Sequence, residues 1–279
     1  MFDLAIDDSD GRARATDGYS PSVSPDAVTD ADLDAFAARL EQAELTGRPA
    51  PALHQGCSLQ DAYRIQRELA GRRRARGSTR VGWKVGATSA ASQRFLGTGA
   101  PMLGPLFDDM RIRSGGSCQL ARMINPRLEI ELAFRIGPVP PAADAFAAAF
   151  ELVDSRIVAE GSDVRNAAAD LGRACRFVLG AWTGADLVPH PEMLAGTLVC
   201  DGSVVASGTA ATVLGDPRRS VEWLASMLDE LGEPLEPGDI VLSGSFIAPF
   251  PVEAGQTFDG VMEAPLGSVS VQFVEGESP

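Results

Sequence analysis

The chain predicts an α+β fold, with a small helical N-terminal lobe and a larger, mixed β-rich domain. Two stretches of helical periodicity precede residue 79, and β-rich stretches of short alternating strands separated by turn residues, with few helices, follow it. No regular series of strand, helix and parallel strand is present, which argues for α+β rather than α/β. The 279 residues, 45% of them apolar, suffice for one large core with an accessory lobe. The expected boundaries are a loosely attached acidic tail over 1–28, a helical lobe over 29–78 and a β-rich catalytic domain over 79–279.

The tail is rich in Asp, Ser, Gly and Pro without sustained periodicity. A first helix is expected from Thr29 to Leu45, where Leu33, Phe36, Ala37 and Leu40 recur at helical spacing behind the cap candidates Thr29 and Asp30. A second follows Ser58, whose Ser-Leu-Gln-Asp start resembles a capping box and whose apolar stripe includes Ala62, Ile65 and Leu69. Its basic end, Arg72, Arg73, Arg74 and Arg76, reads as a solvated helix terminus that suits the helix dipole. The strand Val81, Trp83, Val85 sends Lys84 to the opposite face between Gly82 and Gly86. Those glycines either leave space for an anion or mark a bulge. Thr197 to Gly208 reads as a hairpin around Asp201-Gly202, and a helix from about Ser220 ends at Gly232. Further strands are expected at Ile240–Ser243, Thr257–Met262 and Ser268–Phe273.

A formal charge of −14 speaks against a nucleic-acid partner, which needs a basic face. Cys57, Cys118, Cys175 and Cys200 are widely spaced and suggest neither a zinc site nor a disulfide framework. No run approaches the ~20 apolar residues of a membrane span and no signal peptide is recognisable, so a cytoplasmic location is expected.

The most informative segment is Leu128-Glu-Ile-Glu-Leu-Ala-Phe-Arg-Ile136. As one strand it places Glu129 and Glu131 on the same face, ~6–7 Å apart at Cα, opposite an apolar face. Two such carboxylates can converge on a hard divalent cation, which prefers charged oxygens and retains waters that a substrate can displace. The plainer alternative is a half-buried strand with its polar face in solvent.

From about Pro49 to Phe273 the chain resembles the fumarylacetoacetate hydrolase superfamily, in its 2-keto-4-pentenoate hydratase and 2-oxo-3-hexenedioate decarboxylase branch. The resemblance is carried by Ser58-Leu-Gln-Asp-Ala-Tyr-Arg-Ile-Gln66, Gly82-Trp-Lys-Val-Gly-Ala-Thr-Ser89, Leu106-Phe-Asp-Asp-Met110, Pro126-Arg-Leu-Glu-Ile-Glu-Leu-Ala-Phe134 and Glu151-Leu-Val-Asp-Ser-Arg-Ile157. Gly180, Ser243-Gly-Ser245 and Leu266-Gly-Ser-Val-Ser-Val271 complete it. It implies a β-roll domain, a homo-oligomer and a Mg2+ or Mn2+ ion held by Glu129, Glu131 and Glu151. Asp154 and Arg156 would form a supporting ion pair. Lys84 would be the active-site lysine, with Asp109, or its neighbour Asp108, the acid or base. Leu106, Phe107, Asn166, Ser245 and Ile247 would contact the substrate. The implied activity is water addition to an unsaturated 2-keto acid, in which the ion stabilises negative charge at the C2 oxygen.

Three departures bear on that reading. The family's Asp-Asn-Ala-Ser segment reads Arg165-Asn-Ala-Ala168, its Ser-Gly-Ser-Leu-Thr segment reads Ser243-Gly-Ser-Phe-Ile247, and the interval from Glu131 to Glu151 is shorter. Together they suggest a drier pocket suited to a larger or more apolar 2-keto acid. The nearest rival activity is decarboxylation, with tautomerisation sharing the same chemistry. C–C hydrolysis would need a His–Glu pair, and neither His54 nor His190 sits in a context that commends it. A non-catalytic metal or keto-acid binding protein is the alternative from another class. Gly97-Thr-Gly99 reads as a loop.

Overall fold

The computed structural model describes residues 28–159 and 161–276, so the expected tail over 1–28 lies almost wholly outside the described residues. Five helices are described: α1 (Asp30–Thr46), α2 (Leu59–Ala75), α3 (Ala90–Leu96), α4 (Val164–Ala169) and α5 (Arg218–Leu231). Capping boxes close both N-terminal helices, Thr29 with Asp32 and Ser58 with Asp61. Leu33, Phe36, Ala37 and Leu40 of α1 and Ala62, Ile65 and Leu69 of α2 are buried in the core that also holds the sheet residues.

The basic end of α2 is only partly solvated: Arg74 is exposed, but Arg73 is not. Arg73 is buried, donates to both carboxylate oxygens of Asp109 at 2.7 and 2.8 Å, pairs with Glu44, and lies 5.0 Å over the ring of Phe107. Arg72 pairs with Asp34 and Glu41, and Arg76 with Glu41. Acidic residues of α1, too distant in sequence to signal their position, turn the run into a clamp between the two helices.

The principal strands are β1 (Arg80–Gly86), β2 (Met102–Phe107), β3 (Arg111–Arg113), β4 (Gly116–Gln119), β5 (Arg127–Ile136), β6 (Ala143–Val153), β7 (Ala174–Leu179), β8 (Ala195–Cys200), β9 (Ser203–Thr209), β10 (Ile240–Ser245), β11 (Thr257–Met262) and β12 (Ser268–Val274). The larger sheet runs β2-β1-β10-β5-β6-β7-β3, extended by two short strands on β6 and β5, and the smaller runs β9-β8-β11-β12-β4. Both are mixed: β10 with β1, β3 with β7 and β12 with β4 are parallel, and the remaining path neighbours are antiparallel. At the β8–β9 hairpin Asp201 and Gly202 take φ of 47° and 80°, as an Asp-Gly two-residue turn requires.

The tight connection between β5 and β6 makes these strands hairpin neighbours. It sets Glu129 directly opposite Glu151, Glu131 opposite Ala149 and Arg127 opposite Val153. Both faces of β5 are covered: Leu128, Ile130, Leu132, Phe134 and Ile136 are buried on one, and Glu131 and Ala133 on the other. The polar face is therefore buried at Glu131 and Ala133 and half-buried at Arg127, Glu129 and Arg135 rather than freely solvated.

Beyond β6 the chain makes a strained turn. Leu171, Gly172 and Arg173 take φ of 52°, 65° and 64°, a left-handed run that costs a non-glycine residue on the order of 1–3 kcal/mol. Asp170 holds it. This fully buried carboxylate accepts the backbone N–H of Arg156 at 2.7 Å and pairs with its guanidinium, which also donates to the Asp170 and Ala174 carbonyls at 3.1 and 2.8 Å. Arg156 is therefore not paired with Asp154, as the sequence suggested. Asp154 instead accepts the backbone N–H groups of Ile124 and Asn125 at 3.0 and 2.7 Å. Removing Asp170 would leave a fully buried guanidinium unpaired, so Asp170→Ala should lower unfolding free energy by about 3–5 kcal/mol in urea titration.

Candidate metal centre

Glu129, Glu131 and Glu151 each present a carboxylate oxygen within 4.8 Å of the others. The pairing of β5 with β6 brings Glu129 against Glu151, strand alternation adds Glu131, and the small Ala149 opposite Glu131 leaves room above the sheet. Lys84 comes from farther away. Its strand is three steps from β6 in the sheet order, roughly 14 Å across a flat sheet. Its Nζ nonetheless lies 2.9 Å from Glu151 Oε2, so the sheet curls around the site.

The flanking glycines of Lys84 divide the two roles considered for them. A Cβ at Gly82 would sit 1.9 Å from the Ile240 carbonyl oxygen, so this glycine permits close backbone approach beside a register shift. A Cβ at Gly86 would meet Met102 Cε at 2.8 Å and Lys84 Nζ at 3.3 Å, so this one keeps space at the ammonium.

Charge and solvation conflict sharply here. Side-chain exposure is 3% for Lys84 and 0% for Glu151, and three carboxylates face one ammonium. Glu131 Oε2 accepts the Gly244 N–H at 2.8 Å, but Glu131 Oε1 and both Glu151 oxygens are buried without an aligned hydrogen-bond donor. Burial pushes the Glu129 carboxyl up to about 7, reinforced by Glu151 and opposed by Lys84. Burial, then Glu151 and Glu129, raises Glu131 well above the ordinary carboxylate range, and burial raises Glu151 against the pull of Lys84. Burial also works against the Lys84 charge, but Glu151 foremost, with Glu129 and Glu131, holds its pKa above the ordinary value. Orphaned anionic oxygens in a low-dielectric cluster fit a hard divalent cation, whose charge would satisfy them.

The cluster opens on a cavity of about 750 Å³ lined by Lys84, Glu129 and Glu131, with Phe95, Met102 and Ile247 among its apolar residues. Ser245 also lines it, as expected. Asp108 and Asp109 do not. Asp109 is held by Arg73, and Asp108 accepts the N–H groups of Thr79 and Asp109, each at 2.9 Å. Leu106 and Phe107 are buried core residues rather than cavity walls. Asn166 ties helix α4 to the N-terminal segment by accepting the Leu53 N–H at 2.9 Å, and Arg165 pairs with Asp163. The substituted segment at 165–168 thus lies off the cavity and does not dry it.

Sequence reasoning missed two cavity residues, Arg127 and Arg173. Arg127 could have been found, because it shares the strand face of Glu129 and Glu131. Arg173 depends on a left-handed turn with no short sequence signature. His54 accepts the Gly56 N–H at 3.2 Å and the exposed His190 lies 3.2 Å from Glu192, so neither imidazole serves this cavity.

A curled mixed sheet gathers three carboxylates and a lysine at one cavity, an arrangement that could hold a hard cation. No protein-family model matches the chain. It is 35% identical over 270 residues to 2-keto-4-pentenoate hydratase from Burkholderia vietnamiensis (strain G4 / LMG 22486), covering 88% of this chain and 99% of that one. The solved structure of 4-oxalocrotonate decarboxylase from Pseudomonas putida G7, complexed with magnesium and adipate, superposes with a TM-score of 0.84 at 30% identity, covering 89% of this chain and 99% of that one. Fumarylpyruvate hydrolase from Pseudomonas aeruginosa, in complex with Mn2+ and pyruvate, shares the fold with a TM-score of 0.53 at 21% identity, covering 70% of this chain and 89% of that one. The chain belongs to the fumarylacetoacetate hydrolase superfamily, in the branch of 2-keto-4-pentenoate hydratases and 4-oxalocrotonate decarboxylases.

Protons and a cation compete for the same carboxylates, which fixes the sign of a pH effect. Apparent Mg2+ affinity should rise between pH 6 and pH 8, with proton release, as Glu129 loses its proton near 7. Calorimetry in buffers of different ionisation enthalpy measures both. Without metal, a raised carboxyl pKa contributes stability that is present at low pH and lost as pH rises through about 7, so the metal-free protein should melt lower at pH 8 than at pH 5.5.

Proposed function

We propose that this protein is a divalent-metal-dependent lyase that adds water to an unsaturated 2-keto acid, with Glu129, Glu131 and Glu151 holding Mg2+ or Mn2+. The observation that carries this reading is the carboxylate triad, with Glu131 and Glu151 buried and Glu129 half-buried, short of compensating charge at the wall of a cavity large enough for a small organic acid. A bound ion would supply a Lewis acid to stabilise negative charge developing at the substrate's C2 oxygen.

The chain's own residues set the electrostatics around that charge. In the metal-free cluster Glu151 foremost, with Glu129 and Glu131, holds the Lys84 pKa above its ordinary value against the effect of burial. As an ammonium it would place positive charge at the substrate's oxygen end. Ser245, Thr88 and Ser155 bring hydroxyls to the cavity that can orient the adding water. The apolar side, with Phe95, Met102 and Ile247, excludes bulk water from the carbon chain. Decarboxylation is the second reading, favoured by the structural likeness to the decarboxylase at TM-score 0.84.

Among the described residues no helix is long and apolar enough to cross a membrane. A homo-oligomer in the cytoplasm remains part of the proposal and rests on the family resemblance.

A 2-hydroxydienoate supplied with Mg2+ should give a 4-hydroxy-2-keto acid by NMR. Stoichiometric carbon dioxide release from a 2-oxo-3-hexenedioate supplied in parallel, with no water addition to the dienoate, would favour the decarboxylase reading, and turnover of neither substrate would oppose both. Lys84→Met should reduce kcat by roughly 10²–10³, and Glu131→Gln should weaken Mg2+ binding in calorimetry.

A further inference from the structure

Beyond the carboxylate cluster, the cavity's other charged groups are cationic. Arg127 and Arg173 line the same cavity as Glu129 and Glu131, and among the described residues neither forms an ion pair within 4.0 Å. Nε of Arg173 is buried without a hydrogen-bond partner. Most arginines of α2 and the neighbouring turns have acidic partners, including Arg72, Arg73, Arg76, Arg156 and Arg165. Two guanidiniums without such partners at a partly enclosed site leave positive charge for a ligand to match.

Sheet register places the pair together. Arg127 is opposite Val153 on β6, and Val153 is opposite Ala174 on β7, so the cross-strand row that starts at Arg127 ends at the residue following Arg173. The next row on the same face of β5 holds Glu129 and Glu151, ~7 Å away along the strand. A molecule held at the carboxylate cluster by one end and extended across that interval would present its far end to the arginines. The left-handed turn that delivers Arg173 reinforces the argument. Three consecutive residues with positive φ, held by the buried Asp170–Arg156 pair, maintain a backbone that places this side chain in the cavity.

We propose that Arg127 and Arg173 form a second anion subsite that selects 2-keto acids carrying a terminal carboxylate over monocarboxylates of equal length. The proposal rests on the 2-keto acid reading of the carboxylate cluster and extends it to a substrate class. It also replaces the uniformly dry pocket expected from Ile247, because the apolar wall faces a cationic one.

The test uses unreactive ligands of matched length, 2-oxoadipate and 2-oxohexanoate, titrated calorimetrically into the Mg2+-loaded full chain, with pyruvate as reference. The dicarboxylate should bind roughly tenfold or more tightly than 2-oxohexanoate. Arg173→Met, and independently Arg127→Met, should bring the two ligands to within about threefold of each other. Should either variant fail to fold, the wild-type comparison and the other variant still decide. Equal binding of the two ligands by the wild type, or an equal loss of both in the variants, would overturn the subsite while leaving the 2-keto acid reading intact if pyruvate binds in a Mg2+-dependent way. Failure of all three ligands to bind would remove that reading, and the subsite with it.

Discussion

Three carboxylates confined with a single ammonium form the constraint around which this molecule is arranged. Burying an anion is costly unless charge or hydrogen bonds compensate it, and only one aligned donor, the Gly244 N–H, serves Glu131. Lys84 offsets part of the excess, and the raised carboxyl pKa values record what remains. The hairpin of β5 with β6, the curl that brings β1 back towards β6, and the space beside Gly86 all serve to hold the groups in that unfavourable proximity. A fold optimised only for stability would disperse them.

The architecture gives rigid elements to the cluster and a turn to the wall that bears Arg173. Glu129, Glu131, Glu151 and Lys84 all lie on strands within the larger sheet, where cross-strand hydrogen bonding fixes their spacing. Arg173 lies at the end of an irregular turn, and its position depends on a buried ion pair rather than on a ladder. The carboxylate cluster and residue 173 are thus supplied by separate pieces of chain.

Much of this was legible in the sequence where the signal is local. Thr29 and Ser58 announce their helices, Asp201-Gly202 its hairpin, and Glu129 with Glu131 their common face, because caps, turns and alternation act over a few residues. Glu151 was reached only through its surrounding motif. Nothing in its immediate neighbours reveals that it stands opposite Glu129. Asp109 shows the limit most clearly: Leu-Phe-Asp-Asp-Met suggested chemistry, yet its carboxylate is held by Arg73 from a helix 36 residues earlier. Asp154 and Arg156 illustrate the same difficulty, since two charges two residues apart satisfied different distant partners.

Gly104 of β2 carries a broader implication. A Cβ there would fall 2.0 Å from the Leu171 carbonyl oxygen, so the main chain of β2 and the left-handed turn are in direct apposition. Lys84 lies on the adjoining strand β1, and a Cβ on Gly172 would come 3.1 Å from its Cδ. Lys84 and the arm that bears Arg173 are thereby keyed to one another through backbone. Laboratory evolution of a new acid preference should find room in the identity of side chain 173, whereas lengthening or reshaping its loop would displace Lys84 as well.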